Sequence, residues 1–375
     1  MCFANHLIAI LLTSAFFQFS VFAQNMTDNN TANLIIQNGG KPRLINNRIV
    51  EITVNAPLTS VMSNLIAQCN SLEKLNLSRC ALSDKLHCGL NIPKSVTDRN
   101  LSENGVTDRS VNTLSIMSNL QSIDLAWTQI GDEPRFLEHA SRLKRLNLEH
   151  TRFSDKDLQL LTFCPQLREL DLSETKVTFQ GLNSAPLKSL SKLVLSRINL
   201  ENIPKNLIRN NPQIEEIDLS RNPIHDDAIS LLARLTKLKV VNLARTPITG
   251  DGFRQLAKLA LQKVDLNGSG VTNEGILYLS KITSIVSLDI SLTQVSDPGL
   301  THLYKLNSLK LLSVGYIPFL EPKQNLLTPN AIVSLCKRRK LDTLRINGIS
   351  LTANELLELK KHVREIHYHS PYERE

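Results

Sequence analysis

Three groups of side chains in this 375-residue sequence have types and spacings that invite a chemical reading. Apart from Cys2, which lies in an amino-terminal segment expected to be removed, the cysteines are Cys69, Cys80, Cys88, Cys164 and Cys336, candidate nucleophiles or disulfide partners. An odd number cannot all pair, and Cys80 and Cys88 are the two close enough in sequence to bridge in an oxidising compartment. His367 and His369 alternate on one side of a strand-like terminus, as two metal ligands would, but no third or fourth ligand accompanies them. The third group is ordered differently: Trp127 and His150 stand 23 residues apart, and Arg197, Arg221 and Arg245 follow one another at 24. Such spacing is too long for one helix or strand and too regular for unrelated loops.

The motifs that build catalytic centres are not among these groups. The chain holds no glycine-rich phosphate loop, no H-E-x-x-H, no G-x-S-x-G and no paired C-x-x-C. A non-enzymatic protein without cofactor or metal is therefore expected. Composition sets further limits. With 42% apolar and 21% charged residues the chain is neither disordered, collagen-like nor a small disulfide scaffold. Aromatic residues make up 5%, with a single Trp, which argues against stacking platforms for single-stranded nucleic acid. The formal charge of +8 is spread along the chain and points to a partner with an acidic surface.

The regular spacing is explained by a repeat. The pattern apolar-x-x-apolar-x-apolar occurs as Ile49-Ile52-Val54, Leu72-Leu75-Leu77, a degraded copy ending at Leu101, Leu120-Ile123-Leu125, and onward through Leu238-Val241-Leu243 to Leu341-Leu344-Ile346 and a frayed Val363-Ile366-Tyr368. Copies start 23 or 24 residues apart, except across the interval from 309 to 341 and a slightly short last one. In each copy, x-x-apolar-x-apolar reads as a short strand with period-two burial. Thr128, Thr151, Thr175, Asn222, Thr246 and Thr293 then share one place, where a small polar side chain can bond backbone as the chain leaves the sheet. The second half of each copy reads as a helix. It is marked by Ser154-Asp155, Thr272-Asn273-Glu274, Ser296-Asp297-Pro298 and the capping box Thr352-Ala353-Asn354-Glu355. One such unit cannot bury enough surface to fold alone, so neighbouring units must share a core.

The unit L-x-x-L-x-L-x-x-T-x-(I/V)-x-D-x-G-L-x-x-L, best seen from Ile285 to Leu306, resembles the leucine-rich repeat superfamily, and its copies look like the 23/24-residue bacterial and cysteine-containing types. The resemblance implies an α/β solenoid, with a curved parallel sheet on the concave face and helices on the convex face. It also implies a protein-binding surface, attached in the superfamily to many tasks.

The domain organisation follows. Residues 1–23 hold no Lys, Arg, Asp or Glu, carry an apolar run from Leu7 to Phe22, and end at Ala23 before a polar stretch, as a cleaved signal peptide does; because no basic residue precedes the run, an uncleaved anchor is the alternative. Residues 24–48 are expected to form a linker and cap, with a hairpin of Leu34–Gln37 against Leu44–Ile45 around Asn38-Gly39-Gly40. Residues 49–368 are the solenoid, with Val363 to Tyr368 a half-formed last strand, and 369–375 are a charged tail. No other segment is long and apolar enough to span a membrane. The chain is expected to be secreted or extracytoplasmic, which in a bacterium means periplasmic. The 309–341 interval places extra residues between Val314 and Leu327, including Tyr316 and Phe319, in the loop leaving the sheet.

Two columns of the repeat bear on function. Asn76, Asn100, Asp124, Asn147, Asp171, Asp218, Asn242, Asp265 and Asp289 form a polar stripe between two leucines that reads as scaffold. The column two residues past the last leucine runs Arg79, Glu103, Trp127, His150, Glu174, Arg197, Arg221, Arg245, Gly268, Leu292, Tyr316, and its variety suits recognition. Trp127, His150, Arg197, Arg221, Arg245, Tyr316 and Phe319 are the expected partner-binding residues. The leading expectation is a secreted, non-enzymatic scaffold that holds another protein and no nucleic acid. Two alternatives stay open: a substrate-recognition subunit of an F-box-like modifying complex, and a polyanion or glycan binder using the arginines.

Overall fold

The computed structural model describes residues 28–85, 90–112, 119–131, 133–315 and 327–369. Residues 1–27, which include the segment expected to be a signal peptide, lie outside them, as do Cys88, Tyr316, Phe319 and residues 370–375 of the tail. The chain divides into two compact units, Met1–Arg152 with Phe163–Gln166, and Phe153–Thr162 with Leu167–Glu375. Strand order follows chain order in each.

The first unit holds β1 (Gly40–Ile45), β2 (Arg48–Val54), β3 (Lys74–Asn76), β4 (Asp98–Asn100), β5 (Ser122–Asp124) and β6 (Arg145–Asn147). The second holds β7 (Glu169–Asp171), β8 (Lys192–Val194), β9 (Glu216–Asp218), β10 (Val240–Asn242), β11 (Lys263–Asp265), β12 (Ser287–Asp289), β13 (Leu311–Gly315), β14 (Leu341–Asn347) and β15 (Val363–His369). From β2 onward each strand is one copy of the repeat, and within each unit these strands pair in parallel with the middle residues in register. Leu170 faces Leu193, and Val241 faces Val264. This is an α/β leucine-rich repeat solenoid, its strands alternating with short helical segments. β15 is a full seven-residue strand paired with β14, where the sequence suggested a half-formed one.

The amino-terminal cap differs from the expected hairpin. Residues 28–37 are helical and bury Ala32 and Ile35 one turn apart. The helix ends at Gly39, whose φ of 84° is one that glycine adopts without strain. The hairpin is instead β1 against β2, antiparallel, closed by Asn46 and Asn47 with φ of 50° and 59°. Two left-handed residues make the tight turn that suits strand twist, and Asn tolerates that region better than most residues. The sequence expectation was misled by Asn38-Gly39-Gly40, which stops a helix here.

Within the coils, the strand middles and the last leucines form the core, Leu75, Leu77, Leu193, Leu195, Val241 and Leu243 all being buried. Arg99 breaks the pattern. It occupies the middle of β4 between Leu75 and Ile123, is 1% exposed, and burial pulls its guanidinium down to about 9.

The helical halves are shorter than a full amphipathic helix. Several are single turns, such as Asp108–Val111 and Asp226–Ile229, and others are 3₁₀, such as Arg135–His139 and Asp157–Phe163. Neighbouring turns are locked by a side-chain ladder. Asp155 accepts from the Thr178 backbone N–H and hydroxyl at 2.7 and 2.6 Å, and Asp226 does the same for Thr249 at 2.8 Å each. Asp297 repeats the bond with Thr328, at 2.8 and 2.7 Å, across a sequence separation of 31. The coil after the insertion therefore rejoins the stack at Thr328, directly after the interval between Val314 and Leu327 to which the sequence assigns the extra residues. Thr352 and Glu355 form the expected capping box. Ser296 does not cap its own helix, because its hydroxyl accepts from Asn273 Nδ2 at 2.7 Å.

Candidate binding rim where the chain leaves the sheet

The two columns that follow the strands divide the labour between fixing the turn and displaying side chains. In the polar stripe, each side-chain oxygen accepts the backbone N–H two residues on: Asn76 from Ser78 at 2.9 Å, Asp171 from Ser173 at 2.8 Å, Asp265 from Asn267 at 2.9 Å. Asn and Asp serve this turn alike, which explains why both occur in the column. One residue past the rim, the Thr column is satisfied as expected. Thr128, Thr151, Thr175, Thr246 and Thr293 donate to the carbonyl of the last leucine or isoleucine at 2.6 to 2.7 Å. Asn222 does more: Oδ1 accepts from Ile198 and Leu200, and Nδ2 donates to Leu195, Leu219 and Ser220 carbonyls. Asn104 makes the same set of bonds in the first unit, a role the degraded sequence copy concealed.

Between these columns lies the rim. Arg79, Glu103, Trp127, His150, Glu174, Arg197, Arg221, Arg245 and Leu292 all adopt φ between 52° and 60°, and Gly268 has 68°. The left-handed region disfavours every residue but glycine, by about 1 kcal/mol or more. The backbone is held there by bonds between coils, among them Trp127 N–H to the Glu149 carbonyl at 2.8 Å and Arg245 N–H to the Asn267 carbonyl at 2.7 Å. Position is thus set by backbone, leaving the side chain free to vary.

The structure brings some of the expected residues together and separates others. In the first unit the Trp127 and His150 rings stack, with centroids 3.7 Å apart and planes inclined by 15°. Trp127 remains 48% exposed, the largest side chain offered to solvent on the rim. Arg79 pairs with Glu103 at 2.6 Å. In the second unit Arg197 is engaged by Glu174 at 3.0 Å, so the three arginines do not act as one set. Arg221 and Arg245 remain exposed neighbours.

The other candidate chemistry is muted. Cys69, Cys80, Cys164 and Cys336 are free and buried. Burial pushes the Cys80 thiol up to about 11 and the other three to about 12, far from a reactive thiolate. His367 lies against Glu365 at 3.1 Å on β15, and among the described residues no group of three or more potential ligands could hold a metal. Among the described residues, no helix is long and apolar enough to cross a membrane.

A family profile described as Leucine Rich repeat matches residues 68–85, 117–133 and 210–233. The matched stretches support a place for the chain in the leucine-rich repeat superfamily. Solved leucine-rich repeat structures share its fold. A protein of Leptospira interrogans has a TM-score of 0.53 at 20% identity, covering 92% of this chain and 98% of that one. An internalin of Listeria monocytogenes has a TM-score of 0.51 at 20% identity, covering 86% and 87%. A TLR13 structure, solved with the single-stranded RNA ssRNA13, has a TM-score of 0.51 at 18% identity, and the match covers 77% of this chain and 44% of that one. At the level of sequence no curated protein matches. These likenesses establish the leucine-rich repeat fold, and the rim side chains are this chain's own.

Proposed function

We propose that this leucine-rich repeat protein is a secreted, non-enzymatic scaffold that binds another protein along its rim. The observation that carries the reading is Trp127: the single Trp of the chain, half exposed, held in a strained backbone conformation and flattened on His150. A large amphipathic ring presented with its rotation already restricted loses little entropy on binding, which is how aromatic anchors come to dominate protein interfaces. Secretion rests on the apolar segment ending at Ala23. A nucleic-acid ligand, as in the TLR13 structure, is disfavoured here by the acidic side chains of the sheet face and the scarcity of aromatics.

The test has two arms. Amino-terminal sequencing of exported protein should begin at Gln24, and recovery of residues 1–23 intact would contradict cleavage. The purified protein and its Trp127→Ala variant are then used as matched baits on extracellular material. A protein retained by the first and lost from the second supports the reading, and equal retention places binding elsewhere.

A further inference from the structure

Along the rim, side chains on consecutive coils satisfy one another two at a time: Arg79 with Glu103, Trp127 with His150, Glu174 with Arg197. The next two coils depart from this. Arg221 and Arg245 have the same sign and the same φ of 55°, on backbone held by parallel bonds to Ala244 and Asn267 at 2.8 and 2.7 Å. Their strands are in register, Asp218 against Asn242, which places the two side chains about one strand spacing, 4.8 Å, apart at their origins. Among the described residues neither guanidinium has a hydrogen bond or ion pair.

Two acidic residues of the Arg221 coil are engaged elsewhere, Glu215 with Lys239 and Glu216 with Lys192, both at 2.7 Å. Gly268 follows in the column and brings no side chain. The Arg245 Cγ lies 3.2 Å from where a Cβ of residue 268 would stand, so the arginine stem uses the room that the glycine leaves.

The sheet face beside this pair has the opposite sign. Residues one and three of each strand flank the buried middle residue and share the solvent side of the sheet. In β7 to β12 they include Glu169, Asp171, Glu216, Asp218, Asp265 and Asp289, against Lys192 and Lys263. Burial raises Asp171 and Asp265 above the ordinary aspartate value, and the Asp218 charge raises both further, so these carboxylates sense one another.

We infer that Arg221 and Arg245 dock a protein segment of alternating charge, its carboxylates on the two guanidiniums and its basic side chains over Asp218 and Asp265. The inference rests on the scaffold reading above and names the chemistry of the partner. Guanidinium groups hold carboxylates bidentately, and two at fixed spacing select a pair of them. A polyanion such as a sulfated glycan, or a purely acidic peptide, gains the same two contacts but is repelled by the carboxylates beside them.

The experiment titrates the purified protein with fluorescent octapeptides, alternating Glu-Lys and all-Glu, and separately with a heparin fragment and a single-stranded RNA. The alternating peptide is expected to bind about threefold tighter than all-Glu or better, and to weaken with salt. Arg221→Ala and Arg245→Ala should each weaken it about fivefold or more, while Arg79→Ala and Arg197→Ala, whose guanidiniums are already paired, should change it by less than about twofold. No saturable peptide binding, equal loss in all four variants, or preference for heparin or RNA would overturn the inference. The Trp127→Ala baits separate the two readings. A partner still lost from that variant while the peptides fail to discriminate leaves the scaffold standing without this site, and the reverse result removes the scaffold anchor and keeps the site.

Discussion

The Trp127 indole lies on the His150 imidazole at 3.7 Å between centroids, although 23 residues separate them in sequence. Both residues lie in left-handed backbone, and the Trp127 N–H donates to the Glu149 carbonyl of the next coil. Removing the imidazole should leave the fold intact and free the indole. His150→Ala is expected to change the Trp127 emission spectrum and to shift thermal stability by no more than about 1 kcal/mol. Fluorescence and a thermal melt on the same sample check both.

Asp265 should be a net liability at neutral pH. Burial first, then the Asp289 and Asp218 charges, raise its pKa above the ordinary 3.8, against the bond from the Asn267 N–H. Between 3.8 and the raised value the folded chain binds a proton that the unfolded chain has lost. Stability therefore falls as pH rises through that window, and the deficit is complete above it. Asn serves the same turn at positions 76, 100, 147 and 242. Asp265→Asn is thus expected to raise the melting temperature at pH 7, with the gain closing below pH 3.8. A melting temperature raised equally at all pH values would contradict the electrostatic cause.

The repeat register, the parallel strands, the Thr column and the rejoining of the coil at Thr328 were all legible in the sequence, because each rests on the period of apolar residues and on local turn chemistry. The pairing along the rim was not. Arg197, Arg221 and Arg245 look equivalent as text, and only the side-chain geometry assigns Glu174 to the first and Lys partners to Glu215 and Glu216. The cap was misread because Asn38-Gly39-Gly40 and Asn46-Asn47 are both turn signals, and the choice between them was made by the burial of Ile35 and Ala32 on one helical face.

Arg99 places a guanidinium in a column of leucines and isoleucines. Its desolvation opposes folding, and Leu, though shorter, would continue the apolar stack. Arg99→Leu is expected to stabilise the chain by about 1 to 4 kcal/mol, whereas Arg99→Ala should destabilise it through the cavity left behind. Urea unfolding of both variants decides, and a loss of stability in the leucine variant would show that the buried charge is a net stabiliser.

Asn222 ties two coils together through both ends of its amide. Truncation leaves the buried Ile198 and Leu200 N–H groups without their acceptor. Asn222→Ala should cost about 3 kcal/mol or more, measured by chemical denaturation. Thr246→Ala, which removes one donor to the Leu243 carbonyl, should cost about 1 kcal/mol.

The central claim is that the rim carrying Trp127 meets the partner, and the chain supplies its own reporter because it contains one Trp. Titrating the captured partner, chosen or engineered to lack Trp, into the protein should shift the Trp127 emission to shorter wavelength, saturating with the same affinity that an independent binding measurement gives. Saturable binding with an unchanged Trp127 spectrum would contradict it.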